Sequence, residues 1–270
     1  MTNKTDLRDY FSGKKLYGDD FNLRQIKEWY KDEKEGYSNL ILNKPYKYEF
    51  HELNKIHGYN RLNKIKNIKF DKILSFGGSK GDELLPIINK INEIYIIEPS
   101  KELRVKKIKG KQVRYISPKP SGKIPFKNNY FDLITCFGTL HHVPNVSYVF
   151  KELVRVLKKG GFLLIREPIV SMGDWRKPRS GLTKRERGIP LNILRKIVEQ
   201  NNLKIISERL VLFPLLRRIS FGNYKGGNSK FWVTIDYLLS KIFSWNRRYH
   251  ATNFFHKIRP QSVFLVLRKD

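Results

Sequence analysis

From Phe70 onward, short apolar runs alternate with amphipathic segments, and the alternation predicts the architecture. KILSF, EIYIIEP, QVRYIS, FDLITCFG, FLLIREP, LKIISERLV and SVFLVLRK read as strands. GDELLPIINKI, KELRVKKIK, VSYVFKELVRVLKKGG and LNILRKIVEQNN read as helices, the third closed by its glycine pair. Strand and helix in turn mean βαβ units, hence an α/β fold with a seven-stranded, mostly parallel sheet and helices on both faces.

Two segments lie outside this alternation. Residues 1–69 are largely helical in pattern and are expected to cap the C-terminal edge of the sheet, ahead of a main domain at 70–270. Between the last two strands, residues 213–259 are far too many for an ordinary loop and predict an insertion with its own structure. There Trp232, Ile235, Leu238, Leu239, Ile242 and Trp245 share one helical face, with Asp236, Ser240 and Lys241 opposite. Core packing is the simpler use of such a stripe. The flanking Lys230, Arg247 and Arg248 keep an interfacial membrane helix as the second reading.

The turn after the first strand carries Gly77, Gly78 and Gly81, where backbone can approach a ligand closely and aim N–H groups at it. It is not a phosphate-binding P-loop, because Gly81 is followed by Asp82 and Glu83, which repel a triphosphate. The GxGxxG spacing of dinucleotide sites is also missing. Glu98, at the end of the second strand, is in position to accept hydrogen bonds from both hydroxyls of an adenosine ribose. An adenosine cofactor with a cationic centre and no pyrophosphate suits these residues, which points to S-adenosylmethionine.

The segments ILSFGGSKG, IYIIEPS, KIPFKNNYFDLITCFGTLHHVPN and VFKELVRVLKKGGFLLIREP, spanning about 70–168, resemble the class I S-adenosylmethionine-dependent methyltransferases. The nearest group is the small-molecule one with an LHH segment after the fourth strand. The resemblance implies a Rossmann-like sheet and a cofactor site made of Phe76, Gly77, Gly78, Ser79, Gly81, Glu98, Pro99, Phe137 and Gly138. By the same resemblance the glycine loop wraps the methionine part, Glu98 holds the ribose, and Phe137 with Gly138 lies beside the sulfonium. The chain departs from the family at Ser75, usually acidic, at Ser79, usually glycine, and near Pro120 and Ser121, where an acidic residue often reaches the adenine. Asp82 or Glu83 is the candidate replacement for the missing carboxylate.

Methyl transfer to a hydroxyl needs alignment and removal of a proton. His141 and His142 are the candidate catalytic bases, with packing against the neighbouring helix as the simpler alternative. Cys136 invites a thiolate mechanism, but nothing adjacent lowers its pKa. No cluster has the spacing of a structural zinc site. The loop REPIVSMGDWRKPRSGLTKRERGIP supplies candidate substrate contacts, Glu167, Trp175, Arg176 and Arg179, together with Asp174 and Arg185. Trp beside Arg suits stacking on a sugar with ion pairing to phosphate. This loop and EWYKDEKEGYSNL also resemble, more weakly, methyltransferases associated with bacterial surface-glycan synthesis.

Composition narrows the partners. The single cysteine excludes an intrachain disulfide, no apolar run is long enough to span a membrane, and the N-terminus has no signal-peptide core, so a cytoplasmic setting is expected. The formal charge is +29, with the excess of basic residues growing toward the C-terminus. That favours a phosphorylated or lipid-linked substrate, peripheral contact with an anionic membrane on its inner face, or nucleic acid. Abundant Lys, Asn and Ile also fit AT-biased coding. RNA methylation is the lesser alternative, since no aromatic-basic RNP pattern and no [DNS]PP[YFW] motif occurs. A non-catalytic binding protein of the same fold is the third reading. The expected activity is O-methylation of a sugar or lipid-linked sugar in glycan biosynthesis.

Overall fold

The computed structural model describes residues 7–42, 47–62, 68–175, 177–215, 220, 221 and 224–270. One sheet runs through the molecule in the order β3-β4-β2-β1-β5-β6-β10-β7. Its strands are β1 (Phe70–Phe76), β2 (Ile91–Ile97), β3 (Lys107–Ile108), β4 (Lys111–Ile116), β5 (Phe131–Phe137), β6 (Leu157–Pro168), β7 (Leu203–Val211) and β10 (Ser262–Lys269). A separate hairpin pairs β8 (Ser220–Phe221) with β9 (Tyr224–Lys225).

The central strands β4, β2, β1, β5 and β6 are parallel, while β10 runs antiparallel between β6 and β7. The seven expected strands are present, and the eighth is the two-residue β3. Near-continuous apolar runs are what a strand buried on both faces requires. Val263 to Leu267 of β10 are all fully buried. One face packs on α5 (Val146–Val156) and α6 (Leu191–Gln200), contributing Val149, Phe150, Leu153, Leu194 and Ile197. The other carries Leu84, Ile87 and Ile88, with Leu53 and Val233 from helical segments described below.

Three local predictions are corrected. Asp82–Lys90 winds as a 3-10 helix rather than an α-helix, with Pro86, which has no N–H to donate, in its middle. KELRVKKIK is not helical: residues 101–106 turn, and Lys107–Ile108 then pairs with β4 through a hairpin at Lys109 and Gly110, both at positive φ. The helix before β6 ends at Val156, ahead of the glycine pair. The carbonyls of Arg155 and Val156 accept from the N–H groups of Asn129 and Tyr130, and the chain is already extended at Leu157.

The N-terminal region supplies α1 (Arg8–Phe11) and α2 (Leu23–Leu42). After them come α3 (His51–Asn54), a π-helical turn at Lys55–Tyr59, and α4 (Asn60–Leu62). Helix α2 lies over the C-terminal ends of the parallel strands: the indole N–H of its Trp29 donates to the carbonyl of His142 at 2.8 Å.

The insertion contains α7 (Lys230–Ile242), which packs on β7 and α3. The expected stripe divides: Trp232 packs against the core and Ile235 and Leu239 are half-buried, but the rest turns outward. Val233, Asp236 and Ser240 face inward, while Leu238, Ile242 and the following Trp245 are exposed. Asp236 is buried because its carboxylate accepts the backbone N–H groups of Leu212 and Phe213, where β7 ends.

Candidate active site

Strands β1, β2 and β5 end side by side, so the residues that follow them, Gly77, Glu98 and Gly138, meet at one edge of the sheet. They line a cleft of about 700 Å³ together with Phe76, Ile97, Pro99, Pro118, Thr139, His142 and Val143, closed over by Tyr30, Glu33 and Lys34 of α2. A second cleft of about 920 Å³ shares Phe76, Gly77 and Gly138 with the first and continues past Ser75, Gly78, Ser79, Glu83, Phe137, Arg166, Tyr48 and Phe50. Gly81 is not among the lining residues; it opens the 3-10 helix at φ 78° beneath Ile96 and Ile108.

The loop is glycine at Gly77 for two reasons. Its φ is +71°, and a Cβ there would fall 2.3 Å from the Thr139 side chain, whose hydroxyl donates to the carbonyl of Phe76. Ser79, where the family usually has glycine, is at φ 52° and is buried with its hydroxyl unpartnered. Its backbone N–H donates to Oε2 of Glu98 at 3.0 Å, and Ser100 N–H donates to Oε1 at 2.9 Å. Burial raises the pKa of Glu98, while these two N–H groups pull the other way. Each oxygen keeps a lone pair for a further donor.

Beneath Gly78, the hydroxyl of Ser75 donates to Oε1 of Glu83. Glu83 is buried, and burial pushes its carboxyl up to about 7 despite the Ser75 hydrogen bond. Arg166 faces the same cleft with Nη1 donating to Asn54 and its guanidinium 4.0 Å from the Phe50 ring centroid.

The two histidines have different environments. His141 is buried, with Nδ1 2.8 Å from Glu167 and Nε2 3.3 Å from Glu186. Burial alone would lower its pKa, but the two carboxylates prevail and raise it to about 9. It is therefore a charged, fully engaged group, unsuited to serve as a base at neutral pH. Although His141, His142 and Glu186 bring ligand atoms within 4.8 Å of one another, His141 spends both nitrogens on carboxylates rather than offering a neutral ligand. His142 lines the cleft, with Nδ1 2.8 Å from Glu33. Glu33 is itself fixed by the hydroxyl of Thr183 at 2.7 Å and the N–H of Arg185 at 3.1 Å.

The loop after β6 serves a purpose other than the expected substrate contact. Glu167 is fully buried, accepting the N–H groups of Thr139 and Leu140 at 2.8 Å, and the His141 charge holds it below the usual carboxylate range against the effect of burial. Trp175 donates to the carbonyl of Ser171 and stacks on Phe11 and Tyr17. Arg179 spends its guanidinium on the carbonyls of Met172, Thr183, Lys184 and Glu186. Arg185 pairs with Asp32 of α2 at 2.7 Å. The loop is thus a strap holding α2 against the site; Arg176 lies outside the described residues. Cys136 is buried beside Glu167, and burial pushes its thiol well up, which removes the thiolate reading.

Sequence reasoning missed Tyr30, Glu33 and Lys34, although their i, i+3, i+4 spacing puts them on one face of α2. It also missed Arg166, hidden inside an apolar strand pattern.

Residues 74–165 match the family model described as a methyltransferase domain. By that match this segment, about a third of the chain, is a methyltransferase domain. The chain is 27% identical over 226 residues to an uncharacterized protein of Methanocaldococcus jannaschii, covering 82% of this chain and 94% of that one. It is 28% identical over 106 residues to the ubiquinone/menaquinone biosynthesis C-methyltransferase UbiE of Neisseria meningitidis. That match covers 37% of this chain and spans only 43% of the enzyme's length. Among solved structures, an S-adenosylmethionine dependent methyltransferase from Mesorhizobium loti superposes with TM-score 0.53 at 12% identity, covering 78% of this chain and 96% of that one. The [4+2]-cyclase SpnF superposes with TM-score 0.53 at 13% identity, covering 92% and 97%. The clefts have features that S-adenosylmethionine, the cofactor of the Mesorhizobium loti protein, would need: the glycine cradle at Gly77, the unpartnered Ser79 hydroxyl, and a buried carboxylate at Glu98.

Proposed function

We propose that the chain methylates an oxygen atom of a small acceptor, a sugar or lipid-linked sugar bearing an anionic group. The observation that carries this reading is the His142–Glu33 pair at the cleft wall beside Gly138. When bound, S-adenosylmethionine supplies a methyl group on a sulfonium, open to in-line displacement. Glu98 and the backbone of Gly77 and Ser79 would hold its adenosyl and methionyl parts, and Phe137 with Gly138 would line the space for the methyl-bearing end. Glu33 accepts from Nδ1–H of His142 and orients the ring, and His142 is the group proposed to take the acceptor's hydroxyl proton. Tyr30 and Lys34 line the cleft and are the stacking ring and the cation proposed for a sugar with an attached phosphate, whereas Trp175 is stacked on Phe11 and Tyr17.

A carbon acceptor is the second reading, favoured by the 106-residue similarity to a quinone C-methyltransferase. The fold alone does not decide the reaction, since a cyclase shares it. The test is calorimetry with S-adenosylhomocysteine, followed by transfer of labelled methyl to a panel of sugars, undecaprenyl-linked sugars, quinols and RNA. Binding is expected to weaken about 10- to 100-fold in Glu98→Ala, the range of hydrogen bonds to a charged group. Label in a sugar hydroxyl supports the reading. Label in a quinol ring or in RNA replaces it, and no heat with the unaltered chain leaves a non-catalytic binding protein.

A further inference from the structure

The outward face of α7 belongs to a surface that the catalytic cleft does not use. Phe231, Leu238, Ile242 and Trp245 follow one another at steps of 7, 4 and 3 residues, which keeps them on one helical stripe, and they are 63%, 49%, 63% and 75% exposed. The opposite side of the same helix is spent inside the protein by Val233, Asp236 and Ser240. A second apolar point, Phe254 and Phe255, is 67% and 75% exposed. It is fixed near the end of α7 because the Asn246 amide donates to the carbonyls of Phe255 at 3.1 Å and Ile258 at 3.0 Å. The rings are therefore presented by a built scaffold.

Charge specifies what covers this surface. Between residues 226 and 260 the exposed ionic side chains are Lys230, Lys241, Arg247, Arg248 and Lys257, and the one acidic residue of that stretch, Asp236, is buried. Apolar stripe, protruding aromatic rings and a basic border within this stretch are together what an interfacial helix needs at an anionic bilayer. The aliphatic Leu238 and Ile242 give nothing to base stacking, which weighs against a nucleic acid on the same face. Among the described residues no helix is long and apolar enough to cross a membrane, so the contact lies in the plane of the interface.

We propose that the α7 stripe and the Phe254–Phe255 tip dock the protein on anionic phospholipid headgroups, with the rings entering the interface and the basic border pairing with lipid phosphates. This inference does not depend on the acceptor.

Flotation of the full chain with phosphatidylcholine vesicles, alone or with about 30 mol% phosphatidylglycerol, tests it. Binding is expected only with the anionic lipid. Lys241→Glu/Arg247→Glu/Arg248→Glu should weaken it at least ~100-fold, given about one order of magnitude or somewhat less per basic residue near the surface. Trp245→Ser/Phe254→Ser/Phe255→Ser should weaken it at least ~10-fold at the same salt concentration. Both variants alter exposed side chains, and unchanged thermal midpoints with unchanged S-adenosylhomocysteine affinity establish that each is folded. The proposal is overturned if the unaltered chain ignores anionic vesicles or if the aromatic variant binds them as well as the unaltered chain does. Retention on polyuridine weakened by the charge variant alone, without vesicle binding, would assign the surface to RNA instead.

Discussion

Ser75, near the end of β1, donates its hydroxyl hydrogen to the buried carboxylate of Glu83 in the first turn of the 3-10 helix, directly beneath the glycine loop. Position 75 is where the family usually has its acidic residue. In this chain position 75 is a serine, and it anchors a carboxylate from eight residues further on. A Cβ on Gly78 would fall 1.9 Å from the Ser75 hydroxyl and 2.6 Å from Glu83 Oε1, so the loop lies tight against the pair.

The pair predicts a pH-dependent cofactor affinity. Glu83 is held at about 7 by burial, and a cationic amino group brought near it favours the ionised form. Above pH 7 the carboxylate is already ionised; below it, binding must first expel a proton. Calorimetry should find S-adenosylhomocysteine bound about 10-fold more tightly at pH 8 than at pH 6, since one pH unit below the pKa costs about one decade. Glu83→Gln should bind weakly and nearly independently of pH, whereas Ser75→Asp/Glu83→Gln, which moves the acid back, should recover the affinity. The unliganded protein should respond in the opposite sense. A folded pKa above the unfolded value gives stability that is present in acid and lost as pH rises through about 7, so Glu83→Gln should raise the thermal midpoint at pH 8 more than at pH 5.

His141 gives the second prediction. Its folded pKa of about 9 exceeds the unfolded value of about 6.5, so its contribution to stability is complete below pH 6.5 and disappears as pH rises through 9. The shift corresponds to about 3 kcal/mol at most, shared with Glu167 and Glu186 and not to be counted again for them. Thermal unfolding of the native chain should therefore lose stability between pH 7 and pH 10, and His141→Gln should flatten that slope while lowering stability at pH 7. A parallel slope in the variant would remove His141 as its source.

The sheet was legible because its strands are buried on both faces, which leaves uninterrupted apolar runs such as Ile94–Ile97 and Val263–Leu267 with little else to become. The glycine loop and Glu98 come together at one edge of the sheet, as expected, because they follow directly on the ends of strands. What failed has a common physical cause: a polar side chain in a loop looks the same in sequence whether it meets a ligand or a backbone carbonyl. Arg179 and Glu167 were read as ligand-facing, yet Arg179 satisfies four carbonyls and Glu167 the start of the LHH turn. The expected α7 stripe is divided between core and surface for a related reason. Asp236 earns its buried place by capping two N–H groups at the end of β7, a contact between residues 23 and 24 apart that periodicity does not register. Glu33 and His142 are 109 residues apart, and only the folded chain joins them.

That pair supports the last prediction. Glu33 is held by Thr183 and by Arg185 of the strap loop before it meets His142, so the imidazole is oriented from outside the cleft. A base should affect turnover and leave cofactor binding alone. With the acceptor identified in the labelled-methyl screen, His142→Asn should lower kcat about 100-fold or more, the usual contribution of a positioned base, while S-adenosylhomocysteine affinity stays within about threefold. Glu33→Gln keeps the side chain's shape and its place under Thr183 but weakens its hold on His142, and should lower kcat about 10-fold with little change in KM. His142→Gly should regain part of its rate when imidazole is added, a response that a merely structural role would not produce. If His142→Asn instead abolishes cofactor binding with no recovery by imidazole, the histidine belongs to the wall of the cleft, and proton removal has to be assigned to another group near Gly138.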